Sequence, residues 1–208
     1  MKIPLLAAAC LALLGAGIAE AKTVKITLTP KEVDLPIDNK GTMYRTWTYD
    51  GVVPGPVVRV TEGDVVEFTL INDKANKNSH SIDFHAARVN VLAEFESVKP
   101  GETKHFSFPA TYPGTFYYHC GSDPMIQHIA RGMFGVIIVD PKDAAALPKA
   151  DREYVLIQSE LYPNPDNQDE MMANTWTNVM FNGGIFKYDP VHDPNATRIL
   201  QAKPGERV

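Results

Sequence analysis

The feature that most constrains this chain is a recurring short run of alternating apolar and polar residues, cut off each time by Gly, Pro, Asn or Asp. KTVKITLT, TMYRTWTYDG, PVVRV, DVVEFTLIN, SHSIDFH, ETKHFSF, GTFYYHC, GMFGVIIVD and REYVLIQSE all have this form. Successive side chains of a strand point to opposite faces, so such runs bury one face and wet the other. No long amphipathic helix intervenes, and MIQHIAR is the one stretch that reads as a turn of helix. Many short strands separated by turns predict an all-β chain folded as an antiparallel sandwich or barrel.

The first residues bear on the compartment. Lys2 gives a short basic start, IPLLAAACLALLGAGIA an apolar run, and Ala19-Glu20-Ala21 a small-x-small cleavage pattern. Together they predict a signal peptide over residues 1–21, cleaved after Ala21, and export to the periplasm. The apolar run falls short of the roughly 20 residues a membrane-spanning helix needs. Lipidation at Cys10 is the weaker alternative, because Leu6 is misplaced for a lipobox and the apolar run continues past Cys10. With the leader removed, Cys120 is the only cysteine, so no disulfide can form within the chain. A lone cysteine is either a small buried hydrophobe or a thiolate held by a metal. The rest of the composition (44% hydrophobic, 22% charged, formal net charge −5) is that of an ordinary globular protein. It contains no basic cluster, which argues against a nucleic-acid partner.

At about 150 residues per domain, the length suggests one domain and part of another. An internal echo supports that division. KITLT, TWTYDG and VVRVTEGDVV near the start correspond to EYVLIQSE, TWTNVMFNGG and ILQAKPGERV near the end. Trp47 and Trp176 share the TWT context, and Gly63-Asp64 aligns with Gly205-Glu206. The expected organisation is a first domain over residues 22–142, a linker over 143–152, and the start of a second, incomplete copy over 153–208.

Four of the six histidines lie in the stretches HSIDFH and HCGSDPMIQH. Alternation sorts them. His80 shares a face with Ile82 and Phe84, which must point to the core, while Asp83 and His85 point the other way. In GTFYYHC, Phe116, Tyr118 and Cys120 share one face, and Thr115, Tyr117 and His119 the other. If the two strands pair, His80 and Cys120 meet inside, and Asp83, His85 and His119 meet outside. Two sites back to back are predicted.

A thiolate, two imidazoles and a weak thioether form the ligand set of a blue-copper electron-transfer centre. His80 supplies one imidazole, and the C-x7-H-x4-M spacing lets Cys120, His128 and Met133 wrap one ion from a single connection. Structural zinc more often uses several cysteines, and only one is present. Met125 competes for the axial position, but Met133 begins a strand and is better placed. Outside, two histidines beside a carboxylate suit a catalytic metal with an open position, which needs a further ligand from elsewhere.

HSIDFHAA, YYHC, HIARGM and the upstream VPGPVVRVTEGD resemble the first domain of the copper-containing nitrite reductases, a branch of the multicopper oxidases; the resemblance runs over residues 40–208. It implies a cupredoxin-like Greek-key β-sandwich, a homotrimer, and one-electron reduction of nitrite to nitric oxide. It also implies a type 1 copper at His80, Cys120, His128 and Met133, and a type 2 copper bound in part by His85 and His119. Asp83 would hydrogen-bond nitrite and relay a proton. A small redox protein, a cytochrome c or a cupredoxin, would deliver the electron. In that family a neighbouring subunit supplies the third type 2 histidine; His105 and His192 receive no role here. A two-domain laccase-like oxidase is disfavoured, because it needs paired H-x-H motifs and an H-C-H, whereas Gly121 follows Cys120. A stand-alone blue-copper carrier leaves Asp83, His85 and His119 without a purpose. A copper chaperone would favour exposed Met- and His-rich segments, which are lacking.

Overall fold

The computed structural model describes residues 21–94 and 96–208. The expected leader, apart from Ala21, lies outside the described residues. Among the described residues there are eleven strands and three short α-helices, besides a 3-10 turn at Ala144–Ala146: β1 (Thr23–Leu28), β2 (Pro30–Pro36), β3 (Met43–Tyr49), β4 (Val58–Thr61), β5 (Val65–Ile71), β6 (Asp83–Phe84), α1 (Val91–Glu94), β7 (Thr103–Pro109), β8 (Gly114–His119), α2 (Met125–Ala130), β9 (Phe134–Asp140), β10 (Gln158–Leu161), α3 (Gln168–Met172) and β11 (Asn178–Phe181). Among the described residues, no helix is long and apolar enough to cross a membrane.

One sheet has the order β1-β5-β7 and the other β4-β9-β8-β6, with β2-β3 as a separate ribbon. Alternation does the sorting. In β5, Val66, Phe68 and Leu70 are buried while Val65 and Ile71 are exposed, and Phe68 and Val66 stand opposite Phe106 and Phe108 of β7. Leu28, Phe68 and Phe106 from the first sheet pack in one cluster with Val60, Tyr118 and Ile137 from the second. Two sheets sharing one apolar interior make a β-sandwich of the cupredoxin type.

The sheets are mixed rather than purely antiparallel, because β1 runs parallel to β5 and β4 parallel to β9. The chain crosses between sheets at Glu62-Gly63-Asp64, so each sheet takes an early strand at its edge from a distant part of the chain. Local alternation reports which face is buried but carries no information on strand direction. The region from residue 153 forms only the β10-β11 pair and α3. It docks on the first part through two small clusters: Ile37 with Leu161 and Met180, and Phe134 and Val136 with Ile157. The two TWT contexts differ structurally. Trp47 is buried in β3, whereas Trp176 precedes β11 and is 46% exposed.

Candidate metal centres

The HSIDFH run forms only the two-residue strand β6, which pairs with β8 so that Asp83 stands opposite His119 and Phe84 opposite Tyr118. His80 sits before this strand and is held by an isolated bridge, its N–H donating to Val98 O and its carbonyl accepting from Val98 N. From Ile82 on, burial follows the expected alternation, with Ile82 and Phe84 inside, Asp83 half-buried and His85 exposed; His80 is also inside, but so is its neighbour Ser81, which departs from it. MIQHIAR supplies the short helix α2, which carries His128 inward. Gly132 then turns the chain at φ 116°, where an added Cβ would lie 2.5 Å from Val53 Cγ2. Only glycine makes that turn without strain. It brings Met133 back so that Cys120 N–H donates to Met133 O and Met133 N–H donates to His128 O.

The inner cluster is compact. Ligand atoms of His80, Cys120 and His128 lie within 4.8 Å of one another, and all three residues are buried. His128 Nδ1 is 3.2 Å from His80 Nδ1 and 3.2 Å from Cys120 Sγ. Met133 is fully buried, while its rival Met125 is 49% exposed. Ser81 N–H donates to Cys120 Sγ at 3.3 Å, and Gly121 N–H donates to Ser81 Oγ at 2.9 Å. The far nitrogen of His80 faces Glu32 Oε1 at 3.4 Å. A carboxylate only accepts, so Nε2 carries the proton and Nδ1, which faces His128 Nδ1 and lies within 4.8 Å of the other ligand atoms, keeps its lone pair. Burial would raise Glu32, but bonds from Asn78 and Lys77 outweigh it and hold the carboxyl below the usual range.

Burial pushes His80 down to about 4 against the pull of Glu32, and pushes His128 down to about 3 with help from His80 and Arg131. Both rings are therefore neutral donors at neutral pH. A buried thiol and two neutral imidazoles converging on one point suit a soft-to-borderline metal, and one sulphur with two nitrogens suits copper better than structural zinc. The metal-free protein has a consequent acid weakness. Unfolded histidine protonates near pH 6.5, so the unfolded chain binds protons that the folded pair refuses. Stability should be full above about pH 6.5 and should drain away as pH falls toward 4 and then 3. Thermal melts of the metal-free chain between about pH 7 and pH 5, where histidine dominates the titration, check this. A flat melting temperature would contradict it.

The outer cluster is on the opposite face of the same strands. Asp83, His85 and His119 also place ligand atoms within 4.8 Å of one another. His85 Nε2 is 3.0 Å from His119 Nε2, and His119 Nε2 is 4.0 Å from Asp83 Oδ2. His119 Nδ1 donates to Cys120 O at 3.0 Å. A carbonyl only accepts, so this bond fixes the tautomer with Nε2 unprotonated and aimed at His85. A cavity of about 330 Å³ borders this pair, lined also by Tyr117, Ile129, Glu160 and Tyr162.

Two other histidines are engaged elsewhere. His105 Nδ1 meets Thr69 Oγ1 at 2.9 Å on an exposed sheet face, and His192 Nδ1 meets Asp189 Oδ2 at 2.6 Å. Glu32, Ser81 and Arg131, all near the inner cluster, were missed by sequence reasoning. Ser81 directly follows His80 and Arg131 lies between His128 and Met133 in HIARGM, so both stood within the quoted stretches; Glu32 lies on β2 with no motif spacing to His80, and only the fold brings it there.

Comparison with known proteins gives a consistent picture. A family model described as "Multicopper oxidase" matches residues 34–144. A copper-containing nitrite reductase of Neisseria meningitidis serogroup A is 38% identical over 197 residues, covering 89% of this chain and 48% of that protein. The structure of the copper nitrite reductase from Nitrosomonas europaea superposes with a TM-score of 0.87 at 73% identity, covering 88% of this chain and 65% of the other. The Cu-containing nitrite reductase of Thermus scotoductus superposes at 0.71 with 33% identity, covering 84% and 40%. The chain spans about half the length of the curated relatives it matches.

Proposed function

This chain belongs to the multicopper oxidase family, and from that premise we propose that it serves a copper-containing nitrite reductase. One observation carries the proposal: two metal-ligand clusters lie back to back, and the peptide bond between His119 and Cys120 joins them. The inner set is His80, Cys120 and His128 with Met133 as axial thioether, and the outer set is His85 and His119 beside Asp83. Copper would supply a one-electron relay at the inner set and a positively charged position for nitrite at the outer set.

The reaction is the reduction of nitrite by one electron with two protons, giving nitric oxide and water. The chain's own residues would divide the work. The Cys120–His119 link gives the electron a short bonded route from buried to open face. The Cys120 carbonyl holds His119 in the tautomer that leaves Nε2 free. Asp83, half-buried opposite His119, is placed to hydrogen-bond the substrate and deliver a proton. Two imidazoles are fewer than the three protein ligands usual for a catalytic site, so the outer set would draw a further ligand from a neighbouring subunit of a trimer. A periplasmic location is supported by the leader pattern. A small cytochrome c or cupredoxin is the expected donor.

The test is His119→Ala in the intact protein. The outer metal should be lost, nitrite turnover should collapse, and the inner centre's visible spectrum should persist, because His119 points away from Cys120. Joint loss of both metals would defeat the two-face assignment.

A further inference from the structure

The connection that carries His128 and Met133 also carries a buried cation, Arg131, which no ligand set uses. It is 4% exposed and forms the C-cap of α2. Its guanidinium carbon sits 4.4 Å from the centre of the Trp47 ring, and that ring meets the His128 ring edge-on at 4.6 Å and the His80 ring at 5.7 Å. The stack is fixed from both ends. Trp47 N–H donates to Arg131 O at 3.1 Å, and Arg131 Nη1 donates to Arg45 O at 3.3 Å. Nη2 is bonded to Asp166, which reaches in from beyond the linker. Nε is buried without a hydrogen-bond partner among the described residues. A buried guanidinium that leaves a donor orphaned is poorly explained by hydrogen bonding alone.

Its charge is only partly offset by its partner. The Asp166 side chain is 78% exposed against 4% for Arg131, so water screens the carboxylate far more than the guanidinium. The other charged group against the cluster is Glu32 on the His80 side, whose Oε1 accepts from Lys77 N, Asn78 N and Asn78 Nδ2. Trp47 thus carries on its face a weakly screened positive charge next to the inner ligands.

We propose that Arg131 tunes the inner centre, its buried guanidinium on Trp47 favouring the reduced state and raising the reduction potential. This rests on the copper assignment above. The couple is Cu(II) plus one electron giving Cu(I), so the charge at the site falls by one unit on reduction. A nearby fixed positive charge opposes the more positive state, and therefore favours electron uptake. Because Asp166 lies beyond the linker, that region would influence the potential without touching a ligand.

The test measures the potential and the visible spectrum of the copper-loaded protein for the parent, Arg131→Met and Asp166→Asn. Arg131→Met keeps apolar bulk against Trp47 and removes the charge. Its potential should fall by about 59 mV, a tenfold change in the one-electron equilibrium. Asp166→Asn removes the screened counter-charge at an exposed position and should move the potential upward by less. A purely structural role would not produce opposite signs. With the spectrum intact, an unmoved potential in Arg131→Met, or an unmoved or lowered one in Asp166→Asn, overturns the proposal. If Arg131→Met fails to fold or load copper, the sign of the Asp166→Asn shift decides alone. A parent protein that shows no thiolate-to-copper absorption would instead overturn the copper assignment itself, and this proposal with it.

Discussion

Cys120→Ser is expected to abolish the intense visible absorption of the copper-loaded protein completely. That absorption arises from charge transfer out of a thiolate, and Cys120 is the only cysteine in the chain apart from Cys10. The substitution should leave the fold almost untouched. A hydroxyl is slightly smaller than a thiol, and it can accept from Ser81 N–H, which already donates to Cys120 Sγ. His80, His128 and Met133 would remain in place, since Met133 is held by backbone bonds to residues 120 and 128 and by burial in the main core, neither of which needs the thiol. Absorption spectra at matched copper loading, with a melting curve as the folding control, settle the matter. Colour that survives in the serine variant would remove Cys120 from the ligand set.

Asp83→Asn has the second large expected effect, on rate and not on binding. In the intact protein both metals should load, the inner spectrum should be unchanged, and nitrite turnover should fall by roughly 10²–10⁴-fold, the usual worth of general acid assistance. The amide is nearly isosteric and can still donate a hydrogen bond to an anion, but it has no proton to relay. The pairing of Asp83 with His119 across β6 and β8 does not depend on the side chain, so the imidazoles should keep their separation. Nitric oxide production over a range of pH, with metal content measured in parallel, checks it. A turnover number equal to the parent's would leave Asp83 as an orienting neighbour of His119 and nothing more.

The face assignments at the two clusters were legible without coordinates because they follow from covalent geometry. A strand turns successive side chains to opposite sides, so HSIDFH and YYHC read as His80 and Cys120 on one face and Asp83, His85 and His119 on the other, with buried Ser81 the exception beside His80. The helical turn at MIQHIAR and the order Cys120, His128, Met133 were likewise local features. Strand direction was not legible, because alternation is the same for parallel and antiparallel neighbours, and β1-β5 and β4-β9 proved parallel. Nor were the groups that surround the inner cluster. Glu32 reaches His80 across 48 positions and Arg131 reaches Trp47 from another element, so no spacing rule connects them. The sequence alone determined which side chains share a face, since that is a property of the backbone's two-residue repeat. Only the tertiary structure decided which distant charges stand beside the buried imidazoles, since those contacts exist only once the two sheets share their core and the region from residue 153 has docked beside it.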